Sequence, residues 1–326
     1  MRRIIIPTIL LIAFLSAFLI SQTNRAAHDA TPISNGEYMD ALHNAVRLDY
    51  STYLPIVLNK SGDPVLVGAG DIADCDETGD EITSELVHAI SGAVVTFGDN
   101  VYESGTTAEF EACYAPNWGR DKERTRPSVG NHEYRTANAV GYFTYFGAAA
   151  GDPSKGYYSY DVGAWHVIVI NSNCSQVGGC EATSPQGQWL QADLEAHPAL
   201  CTLAYWHHPL FSSGPHGNNP AMKPFWELLY QAGVELVLNG HDHLYERFSP
   251  QDPDGGADPS QGISEFIVGS GGKSHYSFGD LLPNSAATND DAYGVIKLTL
   301  HPTSYDWEFI PEPGVSFADS GSLPCH

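Results

Sequence analysis

The sequence predicts an α/β sandwich. From Pro64 onward, short apolar runs of strand length alternate with segments of helical period, the pattern of a domain layered from sheets and helices. Those runs end in Gly, Asp, Asn or His, so reactive side chains collect where strands stop. Ligands of open α/β sheets bind beyond the carboxyl ends of the strands, which makes these ends the first place to seek a functional site.

Taken in order, strands are expected at Val65 to Gly68, Ala93 to Phe97, Trp165 to Asn171, Thr202 to Trp206, Val234 to Leu238, Ser264 to Val268, Gly294 to Leu300 and Tyr305 to Ile310. Helices are expected at Asp80 to Ile90, Thr107 to Tyr114, Ser184 to Ala196 behind a Ser184-Pro185 start, and Pro220 to Ala232 closed by Gly233. Before this region, Thr31 to Gly36 reads as a turn-rich linker, and only Tyr53 to Leu58 is an isolated strand candidate. The Pro-, Gly- and Asp-rich stretch from Asp252 to Pro259 is a solvated turn, because its spacing fits no calcium-binding EF-hand loop.

Met1-Arg2-Arg3 followed by an almost unbroken apolar run from Ile4 to Ile20 has the layout of a secretory signal over residues 1–21. The alternative is an uncleaved N-terminal anchor, since the run approaches spanning length. Export to the periplasm, the cell surface or the medium is therefore expected. Cys75, Cys113, Cys174, Cys180, Cys201 and Cys325 form an even set, which in an exported chain favours disulfides over a thiolate metal site. Three bridges allow fifteen connectivities, with Cys174 and Cys180 the expected local loop. A formal net charge of −24 repels polyanions and argues against nucleic acid as a partner. A small anionic substrate would then need local positive charge, such as metal ions.

Polar clusters stand at the ends of the apolar runs: Gly70-Asp71, Gly98-Asp99-Asn100-Val101-Tyr102, Gly130-Asn131-His132-Glu133, Trp206-His207-His208-Pro209 and Gly240-His241-Asp242-His243. Each alone is a weak signal, but their occurrence together and in this order is strong. Two highly charged cations held close together need oxygen and imidazole ligands, with a carboxylate shared between them to screen their repulsion. Two aspartates, an amide, a phenol and three imidazoles supply that set, and glycine before each ligand lets the backbone turn sharply there.

The set resembles the calcineurin-like metallophosphoesterases and, within them, the purple acid phosphatases, whose pattern runs GD, GDxxY, GNH followed by D or E, VxxH and GHxH. The resemblance extends from about Val65 to Phe309, with Ala204 where the fourth motif usually has valine. Generic members carry Asp-x-His at the first motif, whereas Asp71 is followed here by Ile72 and Ala73. Tyr102, three residues after Asp99, is the phenolate donor of the purple enzymes, a hard ligand suited to ferric iron. Gly240 to Arg247 is similar to the extended last motif of the plant enzymes.

The resemblance implies a four-layer αββα sandwich built from two βαβ-type halves, with the metal site at the carboxyl ends of strands. It also implies two metal ions per chain: Fe(III) held by Asp71, Asp99, Tyr102 and His243, and a divalent Fe, Zn or Mn held by Asp99, Asn131, His207 and His241. The implied activity is that of an acid phosphatase, hydrolysing phosphate monoesters of small molecules by attack of a metal-bound hydroxide. His132, beside Asn131, is the first candidate to protonate the leaving group. The second is His216, nine residues after His207, a spacing similar to that of a second active-site histidine in the mammalian enzymes.

Several neighbours are read more plainly. Glu133 is expected to support its loop, His208 to point away from the ligand beside it on an extended backbone, His88 to lie on a surface, and Asp74, Asp76 and Glu77 to form a solvated acidic loop. Ser212 and Ser213 lack the elbow of a serine hydrolase. The remaining functional alternatives are a phosphodiesterase or nucleotide-cleaving metallophosphoesterase and a non-catalytic surface protein on the same scaffold. Lys273 is the one suggestive clamp for a monoester's extra charge. The expected organisation is a signal or anchor at 1–21, a linker at 22–62, a catalytic domain at 63–312 and a C-terminal tail at 313–326. Membrane contact is expected only if the first segment stays uncleaved.

Overall fold

The computed structural model describes residues 62–326, which form one compact unit. The N-terminal signal, the linker and the strand candidate at Tyr53 to Leu58 lie outside the described residues. Among the described residues no helix is long and apolar enough to cross a membrane.

Two mixed sheets lie at the centre. The first contains β1 (Val65–Ala69), β2 (Ala93–Phe97), β3 (Thr125–Ser128), β11 (Gly294–His301), β12 (Ser304–Pro311) and β13 (Asp319–Pro324), in the order β13-β12-β11-β1-β2-β3. The second contains β4 (Tyr158–Val162), β5 (Trp165–Val169), β6 (Cys201–Tyr205), β7 (Leu236–Asn239), β8 (Tyr245–Phe248), β9 (Ser264–Val268) and β10 (Ser285–Asn289), in the order β10-β8-β9-β7-β6-β5-β4. The helices are α1 (Gly79–Ala89), α2 (Thr107–Glu109), α3 (Val140–Phe146), α4 (Pro185–Ala196) and α5 (Lys223–Gln231).

Strand periodicity explains the layering. In β5, Val167 and Val169 face the core between the sheets, where they join Leu66, Val94, Leu203, Leu236 and Leu298. Ile168 in the same strand, and Ile170 just beyond it, face the opposite way and pack with Leu190 of α4 and Phe225, Trp226 and Leu229 of α5. The described residues thus form an αββα sandwich: the alternation of runs predicts its α/β class, and the resemblance implies its layering.

The predicted strands and helices form with small shifts at their ends, while the expected Thr107 to Tyr114 helix divides. Thr106 and Glu109 make a reciprocal capping box at the start of α2, and the chain then continues as a π-helical turn over Phe110–Tyr114. Residues 313–326, expected as a tail, instead supply the edge strand β13, which pairs antiparallel with β12. Disulfides join Cys75 to Cys113, Cys174 to Cys180 as expected, and Cys201 to Cys325. The last of these ties the end of the first sheet to β6 of the second.

What positions the site is the parallel run of strands in each sheet. β1, β2 and β3 are parallel neighbours, as are β5, β6, β7 and β9. Their carboxyl ends therefore open on one side of the molecule. The sheets are joined there by backbone hydrogen bonds, with Gly70 N–H donating to Val268 O at 2.8 Å and Gly271 N–H donating to Gly70 O at 3.0 Å.

Candidate metal centre

Asp71 follows β1, Asp99 follows β2, Asn131 follows β3, His207 follows β6, and His241 and His243 follow β7. The sharp turns are made mostly by the ligand candidates themselves. Asp71, Asp99 and His241 adopt left-handed φ values of 58°, 48° and 75°, a conformation uncommon for non-glycine residues. Of the glycines expected to do the turning, only Gly98 has a positive φ. The others give room: a Cβ on Gly240 would lie 2.6 Å from Asp71 Oδ2, and one on Gly130 would collide with the Asp99 carboxylate.

The polar atoms converge in two groups. Tyr102 Oη lies 2.8 Å from Asp71 Oδ1, 3.1 Å from His243 Nε2 and 3.4 Å from Asp99 Oδ2. His207 Nε2 lies 3.0 Å from Asn131 Oδ1, 3.2 Å from His241 Nδ1 and 3.2 Å from the same Asp99 Oδ2. One carboxylate oxygen thus belongs to both groups, as a ligand shared by two cations must.

The other oxygens are held by backbone. Asp71 Oδ2 accepts from His241 N–H at 2.7 Å, and Asp99 Oδ1 accepts from His132 N–H at 2.8 Å. The imidazoles are oriented in the same manner: His207 Nδ1 donates to Phe97 O at 2.8 Å, and His243 Nδ1 donates to Ser274 O at 2.9 Å. A carbonyl can only accept, so both rings present the Nε2 lone pair to the centre. Carboxylate oxygens, an amide oxygen and imidazole lone pairs face one another, an arrangement that repels itself unless positive charge lies between. The donor set therefore fits a pair of metal ions. Burial disfavours a charged His207, yet the Asp99 carboxylate outweighs it and pushes the imidazole up to about 9, so without a metal a proton on Nε2 takes the place that a cation would fill.

Glu133 is fully buried, and its hydrogen bonds come from backbone. Its carboxylate accepts from the backbone N–H groups of Asp99, Asn100, Val101 and Gly130 at 2.6–3.3 Å, fixing the second motif to the third. Burial together with the neighbouring Asp99 charge pushes this carboxyl up to about 7. Asp242 has a corresponding role. It accepts from Ser212 Oγ and from His216 N–H at 3.0 Å, and so holds the 211–216 loop against the last motif.

Both acid candidates reach the centre. The His216 ring stacks on His241 with centroids 4.3 Å apart. His132 Nε2 lies 3.9 Å from Asp99 Oδ2, with Nδ1 donating to Glu103 O at 2.9 Å. His208 departs from expectation. β6 ends at Tyr205, so strand alternation no longer applies, and the His208 ring turns towards His241 at 4.4 Å while Nδ1 meets Ser172 Oγ at 2.8 Å. His207, His208 and His241 are close enough to share one ion. Sequence reasoning passed over Arg135, whose guanidinium reaches His132, and Tyr276, which stacks on His243 at 4.1 Å. No motif marks either residue. Lys273 is engaged by carboxylates, bonded to Asp74 and, at 2.8 Å, to Glu77.

The family model for calcineurin-like phosphoesterases matches residues 43–245. Curated relatives include purple acid phosphatase 15 of Arabidopsis thaliana, 28% identical over 215 residues, covering 55% of this chain and 40% of that protein. An acid phosphatase of Aspergillus ficuum is 30% identical over 166 residues, covering 43% of this chain and 27% of that one. The chain thus spans less than half the length of these relatives. Among solved structures, a purple acid phosphatase from yellow lupin seeds superposes with a TM-score of 0.64 at 16% identity, covering 80% of this chain and 53% of that one. GAP50, the anchor in the inner membrane complex of Plasmodium, superposes with a TM-score of 0.62 at 15% identity, covering 81% and 90%. With its fold, its motif order and more than half its length matched in this way, the chain belongs to the calcineurin-like phosphoesterase family.

Proposed function

We propose that this chain hydrolyses phosphate monoesters at a dinuclear metal centre. Asp71, Asp99, Tyr102 and His243 would hold a ferric ion, and Asp99, Asn131, His207 and His241 a divalent Fe, Zn or Mn. The observation that carries this reading is Asp99 Oδ2, which lies 3.2 Å from His207 Nε2 and 3.4 Å from Tyr102 Oη and so joins both donor groups. When bound, such ions lower the pKa of water towards about 7 and stabilise charge on the phosphoryl oxygens.

The chain's own residues prepare the site. Glu133 and the backbone bonds to Asp71 and Asp99 hold the carboxylates in place. His216, carried by the loop that Asp242 anchors, stands where a leaving alkoxide could take its proton. His132 Nε2 accepts from Arg135 Nη2 at 2.9 Å, which leaves His216 the better placed donor in this arrangement.

Export through residues 1–21 accords with disulfides that use all six cysteines. A phosphodiesterase is the second reading, favoured by Lys273, whose charge is already matched by Asp74 and Glu77. The test is metal content by mass spectrometry on protein purified without chelator, with turnover of a chromogenic monoester and diester at acidic pH. About two metals per chain including iron, faster monoester turnover and its loss in Asp99→Asn support the proposal. Protein that no metal activates would sink it.

A further inference from the structure

Two cations stand beside the candidate ligands, and their surroundings differ. Lys273 lies over the Tyr102 ring, 5.3 Å from its centroid, with its ammonium bonded to Asp74 and Glu77 and its side chain only 17% exposed. Arg135 leaves the short turn Glu133–Arg135 just after His132, and its side chain is 49% exposed. Its Nη1 meets Glu103 Oε2 at 2.8 Å and Glu103 O at 3.2 Å, and its Nη2 donates to His132 Nε2 at 2.9 Å. That same Nε2 is 3.9 Å from Asp99 Oδ2, so the edge of the guanidinium sits at the rim of the metal centre.

We propose that Arg135 recognises the dianionic phosphate of a monoester, and that Glu103 holds it in waiting until phosphate takes its place. This inference rests on the phosphoester reading and deepens it. The Glu103 carboxylate is 59% exposed, and ion pairs between exposed groups are weak and readily exchanged. The guanidinium fork matches two phosphate oxygens at once, which an ammonium cannot do. When Arg135 moves to phosphate it also releases His132 Nε2, so binding of the anion frees an imidazole beside the reacting ester. The charge removed with Arg135 matters most for a phosphate bearing two negative charges and least for a diester bearing one.

The experiment uses the metal-loaded full chain. Binding of inorganic phosphate is measured by calorimetry, and KM is measured for 4-nitrophenyl phosphate and its bis-ester. Arg135→Ala should weaken phosphate binding and raise the monoester KM by about tenfold or more, leaving the diester KM within about twofold. Arg135→Lys should recover part of the loss, and Glu103→Gln should tighten phosphate binding. Metal content should match wild type throughout, which separates anion recognition from damage to the centre. Equal losses on both esters, or unchanged phosphate affinity, would overturn the proposal. Wild-type protein that binds phosphate through Arg135 but cleaves neither ester would instead overturn the hydrolytic reading and leave this one standing.

Discussion

The carboxylate of Asp71, at the end of β1 in the first sheet, accepts a 2.7 Å hydrogen bond from the backbone N–H of His241, beyond β7 in the second. The first and last motifs, 170 residues apart, are thereby joined across the sandwich. Burial and the nearby Asp99 charge raise the Asp71 carboxyl well above its usual range, so its ionised form is disfavoured until a cation arrives. Asp71→Asn keeps an oxygen for His241 but removes the charge. Metal analysis should then find the position served by Tyr102 and His243 empty, while thermal unfolding of the metal-free variant begins no lower than for metal-free wild type. A lower melting temperature would show that the charge itself supports the fold.

Glu133 offers a test of indirect control. Glu133→Gln keeps the shape but replaces a carboxylate that accepts four backbone N–H groups with an amide that can accept fewer. Affinity for both metals should fall by about 10–100-fold, as for other groups that orient ligands without touching the ion. Competition with a chelator measures this, and a loss confined to one metal would refute the shared support.

Tyr102 offers a spectroscopic test of the proposed ferric site. If its phenolate binds ferric iron, the oxidised protein absorbs visible light, and Tyr102→Phe should abolish the band while the His207 and His241 position retains its metal. Persistence of the band in that variant would remove Tyr102 from the ligand set.

A histidine far from the centre sets a pH dependence of stability. The His166 ring, buried, bonds Asp161 Oδ1 at 2.7 Å on β4 and Asp193 Oδ2 at 2.9 Å on α4, and stacks on His197. Burial lowers its pKa, but the bonds to Asp193 and Asp161 outweigh this and raise it overall. A pKa raised on folding adds stability that is complete below the unfolded value near about 6.5 and is lost as pH rises through the folded one. Asp193→Asn should therefore lower the melting temperature more at pH ~5 than at pH ~9; an equal loss at both would show that His166 is neutral in the fold.

The bond between Cys201 and Cys325 closes a loop with a sequence separation of 124. On chain entropy, replacing both cysteines by serine should cost about 5 kcal/mol, read from urea unfolding under non-reducing conditions. A change below about 1 kcal/mol would mean that the unfolded chain holds these ends together without the link.

The sequence shows the site more clearly than the frame around it. Asp71, Asp99, His207 and His241 stand just beyond apolar runs, so both their chemistry and their place can be read directly, whereas Asn131 is legible only through the Gly-Asn-His motif that carries it. The strands that went unread are β3, β4, β10 and β13, together with β8, and the first four are the edges of the two sheets. β10 and β13 bury little, β3 is mostly buried but built from Thr-Arg-Pro-Ser, and residues such as Arg126, Pro127, Ser285 and Gly321 give these strands no apolar signature. β8 overlaps the extended last motif, Gly240 to Arg247, whose residues read as site rather than strand. The part played by Glu133 was partly legible. Arg135, His208 and Tyr276 were not, because their roles depend on which loops meet in space.

The left-handed turns at Asp71, Asp99 and His241 have a consequence for selection. Each costs about 1–2 kcal/mol that a glycine would not incur. Metal-free variants screened only for heat resistance should accumulate glycine at these positions early and become hardier while losing the chemistry. Asn138, Ala139 and Asn284 hold the same conformation away from the centre, so it is the convergence of three such corners on one cluster of polar side chains, rather than the angle alone, that marks Asp71, Asp99 and His241.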